Sequence, residues 1–176
     1  MKKEKKAISA IVATVLLILI TVAAVGLIWL GVVPWIQNIM NRGKAEQVCI
    51  TATANLEINT ERNLTYFYDS SKEVGVTVKR GGEEFDAAGI QIIIFGDGGS
   101  KTYTIEEGKS LQKVKVYGLA YGGNLSIPKA NEEKTYMINI TGDITLPTEV
   151  SIAPVVSVDS TKFTCEISDK ATLTKG

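Results

Sequence analysis

The chain has 176 residues, with 19 basic and 19 acidic side chains and no histidine. A net charge of zero provides no basic surface for nucleic acid, and without histidine the chain lacks the commonest general base and metal ligand. Once about 40 residues are set aside for an N-terminal segment, the remainder is long enough for one domain with a hydrophobic core.

The N-terminal segment combines a basic start with a long apolar run. The chain opens with MKKEKK, and the stretch 7–33 then contains no charged residue. A bilayer core requires about 20 apolar residues in a helix, so this run is long enough to span it. The lysines before the run predict a cytoplasmic N-terminus, with the chain after the run outside the cell.

Three interpretations of this segment compete. A cleaved secretion signal has a shorter apolar region, followed by a small residue at the cleavage site, and fits least well. A plain signal anchor fits the length, with Trp29 and Trp35 near the outer membrane interface. The third interpretation depends on where the small residues lie.

Two cations and one small residue stand directly before the apolar run, in the order Lys5-Lys6-Ala7-Ile8-Ser9. With the following ISAIVATVLLILITVAAVGLI, this order resembles the class III (prepilin-type) signal and N-terminal domain of the archaeal type IV pilin family. The resemblance implies cleavage by a prepilin peptidase after Ala7, which makes 1–7 the leader; cleavage after Lys6 is the alternative. Ala10 replaces a proline common in the family.

The same resemblance implies a helix from 8 to 41 that is first held in the membrane and then polymerises. The expected partners are copies of this chain in a helical filament, the peptidase and the pilus assembly machinery. Pro34 removes a backbone donor and predicts a kink. Small residues that gather on one side of the helix would allow close packing. This group is Ala10, Ala13, Thr14, Thr21 and Ala24.

Beyond Lys44 the periodicity changes to the alternation that is typical of strands with one buried face. Strands are predicted at 48–58, 64–68, 74–78, 90–95, 103–105, 114–116, 136–140, 150–158 and 162–167. The predicted fold class is a long N-terminal hydrophobic α-helix followed by an all-β antiparallel sandwich of the immunoglobulin-like kind, over 45–176.

The two cysteines, Cys49 and Cys165, both follow the apolar segment. In an extracellular compartment such a pair is expected to form a disulfide. The predicted strands place Cys49 on a polar face and Cys165 on an apolar face. A bulge, or a strand that begins after Cys49, would reconcile them, and two free thiols are the alternative.

The remaining motifs indicate surface features. The glycine-rich 96–100 predicts a hairpin turn, and Glu83, Glu84 and Asp86 predict a solvated loop. Because no histidine-based or paired-carboxylate arrangement can be assembled, no enzymatic activity, metal or cofactor is expected. Three sequons are candidates for N-glycosylation. Their asparagines are Asn63, Asn124 and Asn139.

The sequence therefore favours a structural subunit, a pilin, of an archaeal type IV pilus-like surface filament with a role in adhesion. Its β domains would be displayed outside a core of helices. The alternative is an uncleaved, single-span, membrane-anchored extracellular binding domain.

Overall fold

The structure is a computed structural model that describes residues 10–61 and 63–175. The chain divides into two compact units, Met1–Arg42 and Gly43–Gly176. The predicted cleavage residues Lys6, Ala7 and Ile8 lie outside the described residues.

The first unit contains α1 (Ala10–Leu27), a π-helical turn (Ile28–Val32) and the start of α2 (Val33–Ala54). In the π-helical turn the Val33 N–H donates to the Ile28 carbonyl five residues earlier. Pro34 follows at once and has no N–H for the preceding turn. A π-helical turn, which is wider than an α-helical one, thus directly precedes Pro34, and the kink at Pro34 stays a prediction.

The second unit begins with the last part of α2, and here the prediction of a strand at 48–58 is wrong. The helix continues to Ala54, beyond the expected helix end at 41, and only the last three residues form a strand. Ala45 and Ala52 are buried, with Val48 and Cys49 half-buried between them. This spacing is one helix face, and packing of that face overrides the β propensity of the segment.

Ten strands follow. Their bounds are β1 Leu56–Ile58, β2 Phe67–Tyr68, β3 Glu73–Arg80, β4 Ala87–Asp97, β5 Gly99–Glu106, β6 Val114–Val116, β7 Glu133–Asn139, β8 Thr145–Val158, β9 Thr161–Thr164 and β10 Asp169–Thr172. One sheet has the order β1-β3-β7-β6, with β2 also paired to β3, and the other has the order β10-β8-β4-β5, with β9 also paired to β8. All of these strand pairs are antiparallel.

The larger hydrophobic core lies between the two sheets. Val76 of β3 and Tyr136 of β7 come from one sheet, and Ile92 of β4 and Ile152 of β8 come from the other; none of the four is accessible to solvent. Because the inward faces of both sheets share this core, the domain is a β-sandwich. The predicted fold class, a long hydrophobic helix followed by an antiparallel sandwich, is confirmed.

Asp143, between β7 and β8, links the two sheets through hydrogen bonds at one edge of the sandwich. It accepts a hydrogen bond from the Tyr103 hydroxyl of β5 at 2.8 Å and one from Lys113 Nζ, beside β6, at 2.7 Å. The hydrogen bond from Lys113, followed by that from Tyr103, lowers the pKa of the Asp143 carboxyl below its ordinary value of 3.8.

Asp143→Asn should destabilise the sandwich by about 1–3 kcal/mol, because it weakens two hydrogen bonds to a charged acceptor. A group whose pKa is lowered by folding stabilises the folded state above its unfolded pKa. The wild-type advantage should therefore be present above pH 3.8 and be lost as the pH falls through the lower folded value. Thermal unfolding of both proteins across this range measures the effect. Asp97→Asn, at an exposed position, is the control, and equal losses in both variants would contradict the prediction.

Candidate functional site

The apolar helix is the most unusual surface of the molecule. Its side chains are exposed on every side, with Leu16 at 50%, Leu19 at 60% and Leu30 at 83% exposure. The helix over residues 11–54 is long and apolar enough to cross a membrane. Its uncharged part, 11–40, would be about 45 Å long at 1.5 Å per residue, which exceeds the roughly 30 Å of a hydrocarbon core. A helix that is apolar all round requires lipid or other helices around it.

The threonines of the predicted small-residue face satisfy their own hydroxyls. Thr14 Oγ1 donates to the Ile11 carbonyl and Thr21 Oγ1 to the Ile18 carbonyl, both at 2.9 Å. Ala13 and Ala24 on the same face are exposed, and Ala10 begins α1. Because these hydroxyls have partners within the helix, the face can enter an apolar environment without an unsatisfied donor. Its role in helix packing remains a prediction.

The two tryptophans lie on the apolar helix near Pro34. Trp29 belongs to the π-helical turn and is 68% exposed, and Trp35 belongs to α2 and is 64% exposed. Indole rings prefer the membrane–water interface, so this exposure is suited to the predicted position near the outer interface.

A disulfide joins the C-terminal part of α2 to the segment after β9. Cys49 and Cys165 are bonded, with their Cα atoms 5.3 Å apart and a sequence separation of 116. The bond belongs to a small buried cluster that also contains Ala52 and Val156. The predicted disulfide is confirmed, and the conflict over its faces disappears because Cys49 lies on a helix.

The three sequons differ in accessibility. Asn63 and Asn124 are exposed, whereas Asn139 is half-buried at the end of β7. The Asn139 Oδ1 accepts a hydrogen bond from the Thr141 N–H of its own sequon at 2.9 Å. If the chain is glycosylated, we therefore expect Asn63 and Asn124 to be modified in preference to Asn139.

The glycine-rich segment and the acidic segment occupy surface positions. β4 and β5 pair up to Gly96 and Gly99, with Gly98 at φ 95° in the turn, so the predicted hairpin at 96–100 is confirmed. Glu83, Glu84 and Asp86 are exposed, as predicted for a solvated loop.

Arg80 is a feature that the sequence interpretation missed. It ends β3 and is only 8% exposed. The alternation Val74, Val76, Val78 places position 80 on the same inward face, so extending the strand by one alternation would have identified it. A charged residue at an inward-facing position is uncommon and calls for a specific partner.

No family model matches this chain, and no curated protein matches it. Among solved structures, it is similar to a bacterial immunoglobulin-like domain from the ice-binding adhesin of M. primoryensis. That alignment has 11% identity and a TM-score of 0.37, and it covers 71% of this chain and 99% of the other. Similarity at this level supports no inference about function.

Proposed function

We propose that this chain is a structural subunit of a surface filament of the archaeal type IV pilus kind. The precursor is inserted in the membrane with its N-terminus in the cytoplasm, and a prepilin peptidase removes residues 1–7. Helices that begin at Ile8 then pack into the filament core, and the β-sandwich is displayed outside the cell. The role is structural and adhesive rather than catalytic.

The observation that carries this proposal is the exposure of the apolar helix in a single chain. Side chains such as Leu19 and Leu30 have no partner within the described residues that would keep them from water. Transfer of the helix from lipid into a bundle of identical helices keeps these surfaces out of water at every stage. The internally bonded hydroxyls of Thr14 and Thr21 suit both environments.

A second candidate function is an uncleaved, membrane-anchored surface domain. The exposure of Trp29 and Trp35 favours it to the same degree, because a single-span anchor also places aromatic rings at the interface. The two functions differ in whether the leader is removed and in whether the helix leaves the membrane.

Ala7→Leu tests the filament proposal through the processing step on which it depends. A bulky residue before the cleaved bond should leave the leader attached, so the precursor should accumulate in the membrane and surface filaments should be lost. Intact-mass analysis of the membrane fraction, together with electron microscopy of the cells, measures both effects.

Ala23→Leu is the matched control, since it makes the same change at an exposed position of α1, away from the predicted cleavage site and off the predicted small-residue face. It should be processed normally. Filaments of unchanged number in the Ala7→Leu strain would contradict the proposal and favour the anchored domain.

A further inference from the structure

A cleft of about 510 Å³ lies beside the end of β3 on the sandwich. The residues around it include two cations, two carboxylates and two apolar side chains. They are Arg80, Glu84, Phe85, Asp86, Lys129 and Ala130. All of these residues lie in the second unit.

The guanidinium of Arg80 is held in place mainly by neutral groups. Its Nη2 donates to the Phe85 carbonyl at 2.8 Å, and its Nη1 is 3.4 Å from the Pro128 carbonyl. The guanidinium carbon lies 4.0 Å from the centre of the Phe85 ring. These contacts fix the position of the guanidinium without neutralising its charge.

The charge of Arg80 has no direct counter-ion in the part of the chain that the structure describes. The side chain is more than nine-tenths buried, its Nε has no hydrogen-bond partner there, and Glu84 acts on it only through space. A buried cation without a paired anion is costly, and that cost falls when an anion binds. Arg80 therefore marks one wall of the cleft as a site for a negatively charged group.

The other residues that line the cleft restrict which anions are expected to bind there. A carboxylate matches the planar fork of a guanidinium, and Lys129 supplies a second positive charge. Glu84 and Asp86 bring the formal charge of the lining to zero, which disfavours dianions such as phosphate. Carboxylates can instead accept hydrogen bonds from hydroxyl groups.

We propose that this cleft binds a hydroxylated carboxylate of the uronic-acid kind. The carboxylate of the ligand contacts Arg80 and Lys129, and its hydroxyl groups donate to Glu84 and Asp86. The β domain would then recognise acidic sugars, a binding activity that does not depend on whether the helix polymerises.

Isothermal titration calorimetry tests this proposal on the full-length chain in detergent micelles, with sodium glucuronate as the probe at constant ionic strength. We expect a Kd on the order of 1 mM, as for a small polar ligand in an open cleft. Acetate lacks the hydroxyl groups and glucose lacks the carboxylate, so both should bind more weakly. Absence of glucuronate binding, or equal affinity for acetate, would overturn the proposal.

Two variants with the same change of charge identify the residue responsible. Arg80→Gln should weaken glucuronate binding by about tenfold, because it removes the charged fork. Lys79→Gln should leave the affinity unchanged, since Lys79 is exposed and pairs with Glu57 at 2.6 Å. Equal affinity in Arg80→Gln and wild type would overturn the assignment. If Arg80→Gln does not fold, the same titration is made with Lys129→Gln, at an exposed position that should tolerate the change. Glucuronate should bind this variant more weakly than wild type, and an unchanged affinity would overturn the proposal.

Discussion

Replacement of Leu19 by aspartate should abolish incorporation of this chain into surface filaments. Leu19 lies in α1 and is 60% exposed on the apolar helix. A charged residue at the centre of a membrane helix costs about 2.5–3.5 kcal/mol on insertion scales. The same charge in a bundle of identical helices would be repeated in every copy. Immunoblots of the sheared filament fraction and of the membrane fraction measure the effect.

Ile50→Asp is the matched control for this experiment. Ile50 is also a large hydrophobic residue and is 73% exposed. It lies on the part of α2 that belongs to the second unit, Gly43–Gly176. Filament yield should be close to wild type in Ile50→Asp and absent in Leu19→Asp. Normal filament yield in both variants would show that the apolar helix is not the assembly element.

Loss of the disulfide should be the largest single effect on stability in the β domain. Cys165→Ser removes a cross-link across a sequence separation of 116. In the chain-entropy model, a loop of this size contributes on the order of 4 kcal/mol. The expected decrease in melting temperature is on the order of 10 °C. Thermal unfolding of the full-length chain in detergent measures the decrease.

Reduction of the wild-type protein provides the control for Cys165→Ser. If the bond itself is responsible, the reduced wild type and the double variant Cys49→Ser, Cys165→Ser should melt at nearly the same temperature as Cys165→Ser. A melting temperature that neither reduction nor substitution changes would contradict a stabilising role for the bond.

Sequence alternation predicts β3 and β7 correctly, and one face of each of these strands lies on the shared core. In β3 and β7 the apolar residues, such as Val76 and Ile138, point inward and are fully buried. Gly75 and Thr77 on the other face of β3 are also buried, so what alternates is the type of residue rather than its burial. This pattern of residue types can be recognised without knowledge of the partner strand. β10 has only one apolar residue, Ala171, and its side chains are exposed or half-buried, so residue alternation does not predict this strand.

The segment 48–58 shows where alternation fails. The residues of this segment alternate in polarity. Val48, Cys49 and Ala52 within it, together with the preceding Ala45, nevertheless form one face of a helix. Short apolar patterns fit both periods, and the choice depends on what the segment packs against. Here the cluster around Val156 and Cys165 stabilises the helix, and those residues are distant in sequence.

Contacts between distant residues also explain what the sequence could not reveal about the candidate sites. Asp143 meets Tyr103 and Lys113 only once the two sheets are packed. Arg80 lies beside Lys129 in the cleft because the loop before β7 returns to the end of β3. The apolar helix, in contrast, could be predicted because its character depends on composition within one continuous segment.

The N-terminus of the mature protein tests the filament proposal most directly. Intact-mass and N-terminal peptide mass spectrometry of the natively produced surface protein would locate it. We predict a chain that begins at Ile8, with the helix retained and residues 1–7 absent. A surface protein that still begins at Met1 or Lys2 would contradict the proposal.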